Sequence, residues 1–276
     1  MPEYVKSSAP HIQSSASIPK KFWGMSLALT PVLLALPFYA GAHFLRAAFF
    51  SLLGAFLAEL TGKIIFKRAA SLGQGSFFCL GILFCLMLPP TLPSWLIVVG
   101  SFFGVFAGKE LTGGNGSGLF HPPALGYAMI YASFPKVLNF HIALHLPGLG
   151  EIHWAFILTA CLALLWVRLV RWEIPLIFIL ISSLVGLLFA AQSAAQAFSA
   201  RIFLAAFFYL MVPGLGPLAR SGRRMFSAGA ALLFSLFSQY LPFFAALSFS
   251  LLWMNAFTPW LDEWFRPRLS RLARGL

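Results

Sequence analysis

Gly108 to Leu125 reads GKELTGGNGSGLFHPPAL, and its five glycines form a break between two strongly apolar segments. Glycine lets the backbone approach another group closely, and consecutive amides ahead of a helix make a concavity suited to an anion. A phosphate or a carboxylate can sit in such a loop. The same glycines equally serve the tight packing of a helix broken at this point, and the residues alone leave both readings open.

Working outward, the apolar runs recur from Phe22 to Leu261 with no soluble block between them. The chain is 276 residues long, 60% hydrophobic, 16% aromatic and only 9% charged, which excludes a soluble two-domain protein. Backbone groups in lipid must be satisfied internally, so runs this long predict helices and an all-α polytopic membrane domain. The formal net charge of +12 could suggest nucleic acid, but the basic residues are scattered at the ends of apolar segments and form no motif. Cys79, Cys85 and Cys161 lie inside apolar segments without metal-ligand spacing and read as small buried hydrophobes. Ala40-Gly41-Ala42 resembles a signal-peptidase site, but the apolar run before it is as long as a membrane span, so no cleaved leader is expected.

Ten spans are predicted, at about Phe22 to Ala42, Ala47 to Phe66, Gly75 to Leu88, Ser94 to Ala107, Leu119 to Ser133, Trp154 to Val170, Ile174 to Ala190, Ile202 to Val212, Met225 to Tyr240 and Pro242 to Leu261. Several fall short of the ~20 residues of a full crossing, which points to helices broken by Gly or Pro. With both termini in the cytoplasm, sixteen of the nineteen Lys and Arg residues fall on the inner side, against Arg46, Lys136 and Arg201 outside. Residues 1–20 then form a polar cytoplasmic tail, 21–265 the transmembrane domain and 266–276 a basic cytoplasmic tail. Leu86-Met87-Leu88-Pro89 matches Leu210-Met211-Val212-Pro213, and Phe120-His121-Pro122 echoes Phe257-Thr258-Pro259. These partners lie five spans apart, an odd number, so halves at about 21–135 and 152–265 are read as a five-plus-five inverted repeat.

The glycine-rich stretch resembles the loop of the RnfD/NqrB family, whose pattern runs roughly GKxLxGGxGxNxFNPA. Gly113, Gly114, Gly116, Phe120 and Pro123 fall on it, while Gly118 and His121 stand where that family usually has asparagine. SAPHI (Ser8 to Ile12), LPPTLPSW (Leu88 to Trp95), ASFP (Ala132 to Pro135), VRWEIPL (Val170 to Leu176) and LLWMNAFTPWLDEWFRPR (Leu251 to Arg268) also have counterparts there, so the resemblance covers nearly the whole chain. It implies a urea-transporter-like fold of about ten transmembrane helices. It also implies a membrane subunit of a bacterial inner-membrane complex that couples flavin-mediated electron transfer to ion translocation, packed against other membrane subunits in the lipid bilayer. Gly113, Gly114, Gly116 and His121 are then the candidate cofactor-binding residues, for FMN or riboflavin held without a covalent bond. Relatives attach FMN to threonine in a Gly-Ala-Thr-like motif after the fifth span, but Pro135 to His153 contains no threonine, so no covalent FMN is expected. Where relatives carry an acid after the eighth span, this chain has Val212.

An acid inside a span is a functional candidate by default, and Glu59 is assigned to an ion path, with a Lys63-paired surface residue as its bland reading at i,i+4 spacing. Glu110 beside Lys109 and Glu173 beside Arg171 read as interfacial pairs. His141, His145 and His153 fall in what reads as an outside-facing loop with no acid or cysteine to complete a metal site. No catalytic residue, metal site or nucleic-acid partner is assigned. The alternative to a complex subunit is a stand-alone channel or transporter for a small solute, acting as a homo-oligomer if alone, and a third reading is a purely structural subunit.

Overall fold

A computed structural model describes residues 17–67, 72–116, 118–143, 154–189 and 199–265, and these are helical with no strand among the described residues. Among the described residues, three helices are long and apolar enough to cross a membrane: Ile18–Phe38 (α1), Gly41–Phe66 (α2) and, at the far end of the chain, Phe243–Trp264. The joint between α1 and α2 is Gly41, at φ 57° and ψ −149°, a conformation that essentially only glycine adopts. The expected boundary between Ala42 and Ala47 is therefore displaced, because those residues continue the second helix.

The following helices are shorter and are ended by local chemistry. α3 (Ser76–Met87) is buried on nearly every face and stops where Leu88 turns extended ahead of Pro89 and Pro90. Arg46 of α2 reaches over this break, its Nη2 donating to the carbonyls of Pro90 at 3.1 Å and Leu92 at 3.0 Å. Carbonyls freed by a broken helix inside a bilayer need such a donor. α4 (Ser94–Val105) runs into a π-helical turn, Phe106–Glu110. Pro122 and Pro123 occupy the first turn of α5 (Pro122–Ser133), where a missing N–H costs nothing. Hydroxyls stitch α4, α2 and α3 together: Ser101 donates to the Ser51 carbonyl and Ser51 to the Gly81 carbonyl, both at 2.6 Å.

Pro135–Ala143 forms α6, a helix where the sequence reads as loop, because Pro135 pre-sets the first turn and Leu138 is buried. His141 belongs to it, whereas His145 and His153 lie outside the described residues. The second half continues with α7 (Trp154–Trp166), α8 (Glu173–Phe189), α9 (Ala200–Leu204) running into a second π turn at Ala205–Tyr209, α10 (Arg220–Phe237) and α11 (Phe243–Trp264). Ser227 of α10 donates to the Ile174 carbonyl of α8 at 2.7 Å, and Tyr209 donates to the Leu83 carbonyl of α3 at 2.6 Å.

The core is a continuous apolar cluster, yet Leu34, Phe38, Leu162, Leu184, Leu188 and Leu236 are exposed on helix faces pointing away from it. A surface as apolar as the interior suits lipid and not water.

Candidate functional site

The two glycine-rich breaks meet. The backbone around Gly114, Gly116 and Gly118 faces Pro213, Gly214 and Leu215 of the second half across a narrow cleft, with Phe22, Leu80 and Lys109 contributing to its walls. Gly114, Gly116 and Gly214 have φ of 95°, 98° and 85°. A Cβ on Gly214 would stand 2.8 Å from the Gly116 Cα, so the close approach of the loops requires glycine there.

Beneath one wall lies a buried ion cluster. The side chains of Glu59, Lys109 and Glu110 are 0%, 4% and 6% exposed. The Lys109 ammonium donates to Glu59 Oε1 and, at 2.7 Å, to Ser76 Oγ, and it lies 3.3 Å from Glu110 Oε1. Ser76 in turn donates to Glu59 Oε1. Asn115, from the glycine-rich loop, donates to Gln74 at 2.5 Å and to Ser76 at 3.3 Å, which ties the cluster to the cleft.

Local backbone features assemble these groups. The wider π turn at Phe106–Glu110 replaces the last α turn of α4, and both Lys109 and Glu110 are buried on it. Gly75, at φ 72°, turns the chain into α3 so that Ser76 opens the helix facing Glu59. Gly62 of α2 leaves the space that the Glu110 carboxylate fills, since a Cβ there would lie 2.7 Å from Glu110 Cγ.

Several expectations change. Glu59 is 2% exposed and reaches Lys109, fifty residues away in sequence, while Lys63 is exposed, so the surface-pair reading of Glu59 fails. Lys109 is not a loop charge, and Lys109 and Glu110 do approach each other, but in the interior, because the π turn draws both inward. Glu173 binds Arg224 and not its sequence neighbour Arg171: Arg224 Nε and Nη2 donate to Glu173 Oε2 at 2.8 and 2.5 Å. Gly114 and Gly116 line the cleft, whereas Gly113 sits exposed at the loop surface. His121 does not line it: the imidazole caps α5, Nδ1 accepting from the Ala124 amide at 3.2 Å, with its ring 6.0 Å from that of Tyr209. Ser76, Gln74 and Asn115 escaped the sequence reading, since polar residues near helix ends carry no signal of the buried charges they meet.

This arrangement offers a row of proton donors and acceptors, from Glu59 through Ser76 and Lys109, at the edge of a cleft lined by glycine, proline and apolar residues. Burying such charges is costly unless they are paired and hydrogen-bonded, and here they are. The enclosed space of the cleft is about 20 Å³, far below the roughly 300–1,000 Å³ of pockets that enclose a drug-sized ligand, so a ligand would lie against its mouth and not inside it. Among the described residues no group of three His, Cys, Asp or Glu side chains is placed to hold a metal ion.

The family model described as NQR2, RnfD, RnfE family matches residues 5–144 and 136–271. The D-type subunit of the ion-translocating oxidoreductase complex of Methanosarcina acetivorans is 27% identical over 275 residues, covering 95% of both chains. The D-type subunit of the proton-translocating ferredoxin:NAD(+) oxidoreductase complex of Clostridium ljungdahlii is 24% identical over 314 residues, covering 95% of this chain and 94% of its own. The corresponding subunit of the ion-translocating oxidoreductase complex of Escherichia coli is 25% identical over 347 residues, covering 98% of this chain and 99% of its own. With matches that run almost from end to end, the chain belongs to the NQR2, RnfD, RnfE family.

Proposed function

We propose that this protein is the D-type membrane subunit of an ion-translocating oxidoreductase complex, and that the Glu59–Ser76–Lys109 cluster is a step on its ion path. The observation that carries this reading is the position of the cluster: charged groups buried among apolar helices and linked through Asn115 and Lys109 to a cleft that both halves build. Ionisable groups held inside a membrane domain mark ion and proton routes. The relatives' names, which describe ion- and proton-translocating oxidoreductase subunits, supply the rest.

In this reading a flavin, FMN or riboflavin, is held without a covalent bond. The glycine-rich loop around Gly114 and Gly116 meets its polar end, and the ring is covered by a partner subunit. The flavin brings the electron-transfer chemistry, and the protein's own residues bind, orient and exclude water. The fold is a five-plus-five inverted repeat of about ten spans of the urea-transporter kind, in the bacterial inner membrane with both termini cytoplasmic. The matching LMLP and LMVP breaks support it, as does the bond between Tyr209 and Leu83, which lie next to those two breaks.

The test is purification in mild detergent, with flavin absorbance recorded and co-purifying subunits identified by mass spectrometry. Bound flavin together with redox subunits is the expected result, and Glu59→Gln should then leave the complex assembled while reducing ion movement in proteoliposomes. A colourless protein without partners would overturn the subunit reading. It would favour a stand-alone channel, for which the meeting of the two breaks at the cleft is the relevant feature.

A further inference from the structure

The end of the bundle formed by the α7–α8 turn and the start of α10 gathers positive charge that the described residues neutralise only in part. α10 opens at Arg220 after Ala219, without a side-chain cap and with no acid in its first turn, and Arg223 and Arg224 follow. A helix N-terminus already carries partial positive charge, so cations are disfavoured there. Arg224 is answered by Glu173. Arg223 is not: it is half-buried, and its Nε is shut off from solvent with no acceptor among the described residues. Burial lowers its pKa, and so do the neighbouring charges of Arg171 and Arg220. Asp262 acts in the other direction, but its Oδ1 accepts the Leu218 amide at 2.7 Å. Relief from elsewhere in the chain is scarce, since the sequence holds seven acids against nineteen Lys and Arg, and residues 266–276 include four more arginines and no acid.

The surroundings indicate the source of the missing anion. Trp172 is next to Arg171, and Trp260 and Trp264 flank Asp262; all three are more than half exposed, as is Leu218. Exposed tryptophans at helix ends sit at the level of lipid headgroups. Guanidinium groups bind phosphate oxygens in pairs of hydrogen bonds, and anionic lipids concentrate beside basic clusters at that depth.

We propose that Arg171, Arg220 and Arg223 form a binding site for the phosphate of an anionic phospholipid. This goes beyond the ion-path reading and does not depend on it, because the site lies on groups separate from the Glu59–Lys109 cluster.

The experiment is native mass spectrometry of the full chain in detergent, with any subunits that co-purify, offered equal amounts of phosphatidylglycerol and phosphatidylcholine. Phosphatidylglycerol should be retained preferentially. Each arginine near the surface contributes about fivefold to such binding. Arg220→Gln, at an exposed position, should therefore weaken phosphatidylglycerol binding about fivefold, and the Arg171→Gln/Arg223→Gln double variant should weaken it further. Lys136→Gln, an exposed cation away from this cluster, should leave binding unchanged. Arg220→Gln keeps the test decisive should the half-buried Arg223 variant fail to fold. Equal retention of the two lipids, or retention indifferent to Arg220→Gln, would overturn the proposal. Stabilisation by inorganic phosphate that depends on Arg220, without a preference for phosphatidylglycerol, would also overturn it in favour of a soluble anion.

Discussion

The Tyr209 hydroxyl donates to the Leu83 carbonyl at 2.6 Å, a bond between residues 126 apart in sequence that joins α3 to the π turn after α9. Both residues are buried, and Leu83 stands four residues before the end of α3. Tyr209→Phe keeps the ring in place and removes the donor. A buried hydrogen bond of this kind contributes about 1 kcal/mol net, so a fall of about 2–4 °C in melting temperature is expected in detergent. An unchanged melting temperature would mean that the two broken helices are held by packing alone.

The buried cluster predicts a specific non-additivity. Lys109→Met leaves Glu59 and Glu110 facing each other without the ammonium between them, and breaking a buried ion pair from one side costs about 3–5 kcal/mol. Glu59→Gln removes one carboxylate and keeps its shape. The double variant should therefore be more stable than the sum of the two single losses, by about 1–3 kcal/mol in a chemical-denaturation cycle. Strict additivity would show that Lys109 and Glu59 do not depend on each other.

Much of this architecture is readable in the sequence because its strongest signals are physical necessities of a bilayer. Long apolar runs must be helical, and Pro89, Gly113 to Gly118 and Pro213 break them where side chains or close backbone contacts can compensate. Glu59 stood out because an acid inside a span is costly. Its partner did not, since Lys109 looks like a loop charge until a π turn buries it, and a π turn has no sequence signature comparable to proline or glycine. Ser76, Gln74 and Asn115 are polar residues near helix ends, where such residues are ordinary, and only the fold brings them together. Glu173 illustrates the same limit, because its i−2 neighbour Arg171 is the obvious sequence partner but the packing of α10 on α8 delivers Arg224.

The contact between the glycine-rich breaks ranks the glycines. Gly214→Ala forces a left-handed φ of 85° on a residue with a Cβ and sets that Cβ 2.8 Å from backbone at Gly116. Gly116→Ala carries a similar φ penalty, but its Cβ would meet the tip of the Ile18 side chain at 2.6 Å, which can turn aside. Gly214→Ala should lower the melting temperature more than Gly116→Ala, the difference being about 1–3 kcal/mol of overpacking. Thermal unfolding of the two variants side by side checks the order, and the reverse order would mean that the loops separate readily.

The Glu173–Arg224 pair gives a prediction about acid. The hydrogen bond from Arg224 is the largest influence on Glu173; burial opposes it, and the charges of Arg224, Arg220 and Arg171 add to it, so the carboxyl titrates below its ordinary range. A carboxyl whose folded pKa is depressed contributes stability that is present above its unfolded pKa, ~4.3, and lost as pH falls through the lower folded value. Arg224→Gln removes the leading cause and should return the Glu173 pKa toward ~4.3, so the stability it contributes at neutral pH is lost and the acid limb becomes shallower. Glu173→Gln should abolish that component, leaving Arg224→Gln without further effect on the acid limb. Melting temperatures recorded from pH 3 to 7 for the wild type and both variants provide the measurement, and an acid limb indifferent to Arg224→Gln would show that solvent screening leaves the pair without weight in stability.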